Sequence, residues 1–153
     1  MLMDNKKLEE ILITQAKKAA EIIKDEISIQ FYDKLCSTIV MCQKYVQGVD
    51  GLNWEDLYEE INREEKKDEE CGIYSMSLSV DIPDEVELLL DLPIEILLCI
   101  CWLGCKDEND YFPEDLESII GDKIPDFAAY LENNLKSKED FNKALDFFKK
   151  MCY

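Results

Sequence analysis

From Leu8 to Val46 apolar side chains return every three to four residues: Leu8, Ile11/Leu12, Ala16, Ala19, Ile23, Ile27, Phe31, Leu35, Ile39, Cys42 and Val46. No other feature constrains the fold as tightly. A helical period held this long makes a continuous apolar stripe, which must be buried against other elements of the chain. The mean step is nearer 3.8 than 3.6 residues, and the Ile27–Ser28–Ile29 patch carries two β-branched side chains. The pattern therefore predicts two helices, or one bent there, ending at Gly48 as a stop signal. No heptad persists well enough for a coiled coil.

Val49–Asn53 reads as a turn, with Asn53 capping a helix from Trp54 and Asp56 in its first turn. That helix has apolar anchors at Trp54, Leu57, Tyr58 and Ile61, and none in Asn62–Glu70. Tyr74, Met76, Leu78, Val80 and Ile82 then alternate with Ser75, Ser77, Ser79 and Asp81, the period of a half-buried strand. Pro83–Asp84 suits a turn, and Val86, Leu88, Leu90 and Leu92 alternate again. The expectation is an antiparallel hairpin, residues 73–82 paired with 85–92, although Leu88–Leu89–Leu90 also suits a helix. Pro93 fits a first helical position. Ile94–Leu103, apolar nearly all round, is expected as the buried central helix, stopped by Gly104. Short helices are expected at Glu114–Ile120 and Pro125–Leu135. Ser137 and Asp140 make a capping-box-like start for a last helix through Phe141, Leu145, Phe148 and Met151. The predicted fold class is α+β and mostly helical, with about five to seven helices and one small hairpin. A chain of 153 residues, 47% apolar, is expected to form a single domain, residues 1–153, without staples.

The charge is partitioned along the chain. Met1–Gly48 has 7 acids and 7 bases, Val49–Asp122 has 23 acids and 4 bases, and Lys123–Tyr153 has 5 acids and 6 bases. All of the excess in the net charge of −18 thus lies in the centre. Its densest part holds nine acids in 16 residues, Glu55, Asp56, Glu59, Glu60, Glu64, Glu65, Asp68, Glu69 and Glu70. Arg63, Lys66 and Lys67 neutralise only some of them.

Several chemistries are opposed by the residues present. There is no histidine, which removes Ser–His–Asp and Cys–His nucleophile activation, His-ligated metals and imidazole acid–base work. Cys99, Cys101 and Cys105 do not make a zinc quartet: on a helix Cys99 lies about 200° around the axis from Cys101. An acidic loop starting at Asp107 would need Gly where Phe112 stands and Glu where Ser118 stands, so it fails as a calcium loop. No cofactor and no metal is expected. There is no Gly-rich phosphate loop, and the charge opposes direct contact with nucleic acid. Met1–Lys24 is charged throughout, unlike a signal peptide, and the longest apolar run, Ile96–Leu103, is far below the roughly 20 residues of a membrane span. With seven cysteines, an odd number, the expectation is a reduced, cytoplasmic protein without a membrane partner. Lys outnumbers Arg 16 to 1, as in AT-rich bacterial or phage genomes.

What remains is an anionic surface suited to a basic partner. The sequence favours a non-enzymatic acidic inhibitor of a basic protein, such as a nuclease or another nucleic-acid-binding effector. Toxin immunity and phage anti-defence, with mimicry of nucleic-acid charge, are both compatible settings. The expected partner-binding residues are the nine acids from Glu55 to Glu70, with Trp54 and Tyr58 as aromatic anchors. The alternatives are an adaptor using an apolar helix or hairpin face and, more distantly, a carboxylate-based enzyme.

Overall fold

The computed structural model describes residues 4–49, 51–63, 72–77, 83–107 and 123–152. Its elements are all helical: α1 (Asn5–Ile23), α2 (Ile29–Val46), α3 (Trp54–Asn62), α4 (Ile73–Ser77), α5 (Asp84–Asp107), α6 (Ile124–Asn134) and α7 (Phe141–Lys150). A 3-10 turn, Lys138–Asp140, leads into α7.

The amino-terminal stripe divides at the expected patch. Asp4 opens α1 by accepting a hydrogen bond from Lys7 N (2.9 Å), and Ser28 opens α2 by accepting from Phe31 N (3.3 Å). Each serves an amide left without an intrahelical partner in a first turn. The other end of α2 closes on Gly48, whose φ of 80° is accessible to glycine without a Cβ penalty. Gly48 N donates to Tyr45 O and Val49 N to Lys44 O, both at 3.0 Å, the paired bonds of a Schellman stop.

The hairpin is a correction. Among the described residues there is no strand: Ile73–Ser77 is α4, and Asp84–Leu92 forms the first part of α5. Residues 78–82 and the expected helix Glu114–Ile120 lie outside the described residues. Burial explains the outcome. In α4 the buried residues are Ile73 and Ser77, one helical turn apart. In 86–92, Leu90 and Leu92 are fully buried while Leu88 is 45% exposed, so the two-residue alternation does not mark one buried face. An isolated two-stranded hairpin is marginal in water. A continuous α5 instead delivers every residue from Ile96 to Leu103 into the core. Pro93 is the tenth residue of this helix rather than its first, and Gly104 lies inside it rather than ending it.

α5 is the axis of the molecule. It contacts α1 most extensively and also meets α2, α3, α4 and α7, while α1 touches α2 and α6 as well. Asp84–Lys106 is long and apolar enough to cross a membrane, with a mean hydropathy of 2.1 over an 18-residue window, but 78% of that window is buried inside the protein. A helix apolar on all sides must be enclosed, and here other helices enclose it. At the carboxyl end Phe127 of α6 sits 5.3 Å from Phe148 of α7, centroid to centroid. Phe141, Leu145, Phe148 and Met151 are all buried, as their spacing predicts.

Candidate functional site

α3 presents the described part of the acidic stretch. Trp54, Leu57 and Ile61, at i, i+3 and i+7, face the core. Glu55 and Glu59, at i and i+4, are exposed on the outer side. The helix begins in a reciprocal capping box: Asp56 N donates to Asn53 Oδ1 (2.9 Å) and Asn53 N donates to Asp56 Oδ2 (3.2 Å). Asp56 is therefore engaged in holding the helix end.

Glu60 is also engaged. Lys34 of α2 donates to its Oε1 at 3.2 Å, and Arg63 Nη2 lies 3.4 Å from its Oε2. The Lys34 side chain is only 11% exposed, so this bridge ties α3 to α2 at a part-buried position. The sequence offered no sign of Lys34 in this role, because the pairing spans 26 residues. Trp54, expected as an anchor, is a core residue with 4% exposure, and its ring meets Tyr58 edge-on at 6.4 Å. Tyr58 is half-buried. Of the expected partner-facing residues, the structure brings Glu55 and Glu59 together outside, with Tyr58 beside them, and turns Trp54 inward. Glu64, Glu65, Asp68, Glu69 and Glu70 lie outside the described residues.

Two acidic groups escaped the sequence reading. Asp84, Glu85 and Glu87 occupy the first turn of α5, where carboxylates complement the helix dipole. Asp91 follows one turn later, and burial, then Glu87, raise its carboxyl to about 6, against a smaller opposing effect of Lys149. Placing 85–92 on a strand concealed both groups.

Four of the cysteines are thiols held in the core, while Cys36 and Cys152 are half-buried. Cys42, Cys99, Cys101 and Cys105 have no exposure. Burial, then Glu60, pushes the Cys42 thiol up to about 12, and burial raises Cys99 and Cys101 well above the ordinary range. A thiol kept from ionising is a poor nucleophile and a poor ligand. Among the described residues no cluster of three or more Cys, Asp or Glu is arranged to hold a metal ion.

The arrangement defines a helical protein whose distinguishing surface is anionic, with four of its thiols sealed inside. Residues 7–150 match the family model described as immunity protein Imm6, and the chain belongs to that family. Its role is accordingly that of a toxin-immunity protein, with a toxin as partner. No curated protein and no solved structure matches the chain.

Proposed function

We propose that this immunity protein is a non-enzymatic inhibitor of a basic, nucleic-acid-acting toxin, and that it works in the cytoplasm by covering the toxin's cationic surface. The observation that carries the reading is the concentration of 23 acids against 4 bases in Val49–Asp122 of a member of an immunity family. Proteins that act on nucleic acid present cationic surfaces to the phosphate backbone. An opposing anionic surface speeds encounter and excludes the substrate by occupying the same charges. Glu55 and Glu59 are the described carboxylates best placed for this, since Asp56 and Glu60 are committed within the fold. The six described cysteines are thiols rather than disulfides, which supports a reducing compartment.

The test is the affinity for the toxin encoded by the neighbouring gene, measured across ionic strength. Wild-type binding should weaken steeply with added salt. Glu55→Lys with Glu59→Lys should lower affinity at low salt by about five-fold or more, mainly through the association rate, without unfolding the protein. Unchanged association in that variant would remove α3 from the interface.

A further inference from the structure

A groove of about 310 Å³ opens where the turn after α1, the first turns of α5 and the start of α7 meet. Val86, Leu88, Leu89 and Phe141 give it an apolar lining, and Glu26, Glu85, Glu139 and Lys138 stand around them. Phe141 is buried and Val86 and Leu89 are half-buried, while Leu88 is 45% exposed. Leu88 thus extends a contiguous apolar patch inside a charged rim, the setting in which exposed apolar surface marks a contact site.

The rim identifies the occupant. Its three carboxylates face one ammonium, and Lys138 already lies 3.4 Å from Glu26 Oε2. That pair is exposed on both sides and contributes little to stability, but it directs the single positive charge of the rim toward Glu26. Asp84 and Glu87 deepen the negative potential from the same turn of α5. The positive end of the α5 dipole, roughly half a charge, offsets only a fraction of this. An apolar floor inside an anionic rim suits an aliphatic or aromatic side chain flanked by Lys or Arg. A second copy of this chain fits poorly, since each copy brings 35 acids against 17 bases.

We propose that this groove anchors the toxin, seating one apolar side chain of a Lys- or Arg-bearing segment against Leu88. The inference rests on the toxin-binding role above and adds a division of labour. Acids on α3 govern approach, and the groove governs residence, because buried apolar anchors act chiefly on dissociation.

The experiment uses the full chain and the toxin of the neighbouring gene. Leu88→Asp should weaken binding at least ten-fold through faster dissociation, with the salt dependence kept and the melting temperature unchanged. An affinity within two-fold of wild type overturns the proposal. Should Leu88→Asp lower the melting temperature, Leu88→Ala serves as the milder variant, with at least a three-fold loss expected. Hydrogen exchange at residues 86–89 needs no variant: these amides should slow on complex formation, and unaltered exchange overturns the groove. A dimer of the pure protein that Leu88→Asp disperses would make a second copy the occupant, and the proposal falls. A loss in Glu55→Lys/Glu59→Lys with Leu88→Asp unaffected removes the groove and leaves the acidic-inhibitor reading. The converse removes α3 and keeps the groove, and a wild-type chain that does not bind the toxin removes both.

Discussion

Gly104 lies where α5 crosses the end of α2 and the start of α3. A Cβ there would meet the Tyr45 hydroxyl and would come within 2.8 Å of Trp54 Cβ. The hydroxyl is the tip of a side chain and can move, but the Trp54 Cβ is fixed to the backbone of α3. Gly104→Ala should therefore destabilise by about 1–3 kcal/mol despite the better helix propensity of alanine, read as a lower urea midpoint with an unchanged slope. A neutral or stabilising result would mean that α3 does not approach α5 this closely. Asp91 is the other residue with a definite expectation. Its carboxyl titrates near 6 in the folded protein against an ordinary 3.8, so between those values the folded chain holds the proton more tightly than the unfolded chain does. Stability should fall as pH rises from about 4 through 6 and then level, since above 6 the folded state carries a half-buried charge facing Glu87. Solvent screens part of this penalty. Asp91→Asn should flatten the slope and raise the melting temperature at pH 7 by roughly 2–4 °C, about 1 kcal/mol for a chain of this size. Calorimetry at pH 4.5 and pH 7 distinguishes this from a general effect, because the gain should shrink to roughly a third at the lower pH.

At the scale of elements, α3 rests on a cap that the sequence announces. Asn53→Ala removes the acceptor for Asp56 N and should cost about 1 kcal/mol, and Asp56→Ala should cost a similar amount. The double variant should cost less than the sum, because each half of the box positions the other. Additive losses in chemical denaturation would show that the two bonds act separately. Where the sequence was legible, it was so for this kind of local reason. Asn53, the Ser137–Asp140 pair and Gly48 are signals whose chemistry needs no distant partner. The stretch 73–92 was illegible because its pattern serves two periods at once. Alternating Ser and apolar residues imitate a strand, whereas the decision rested on which side chains find burial: Ile73 and Ser77 in α4, and Leu90 and Leu92 in α5. Pro93 misled for a related reason, since proline usually opens a helix, yet α5 runs through it and buries it. The candidate site was read unevenly. Charge placed Glu55 and Glu59 outside, while Trp54 fits two roles in the sequence, an apolar anchor of its own helix and an aromatic anchor for a partner, and the structure buries it on the core face of α3. The groove at Leu88 was invisible, because it forms only when the turn after α1, the start of α5 and the start of α7 come together.

For the whole molecule, the acidic segment is not an appendage to a neutral frame: α5, its longest described helix, is the core around which α1, α2, α3, α4 and α7 are arranged. The described carboxylates of the segment, on α3 and α5, are consequently held on packed helices and cannot spread apart to relieve their repulsion. Unfolding lets them separate, so repulsion is greater in the folded state and lowers its stability. Raising sodium chloride from about 10 mM to about 150 mM shortens the screening length from about 30 Å to about 8 Å. The melting temperature should therefore rise over that range, whereas toxin affinity should fall over the same range, since the same carboxylates attract the partner. Chloride is the salt to use, because sulfate strengthens apolar burial by exclusion and would raise the melting temperature for an unrelated reason. Glu55→Gln with Glu59→Gln should reduce both salt slopes together. If the two slopes separate, with stability insensitive to salt and binding sensitive, the carboxylates that attract the toxin are too dispersed to repel one another, and the anionic face is not a single cluster.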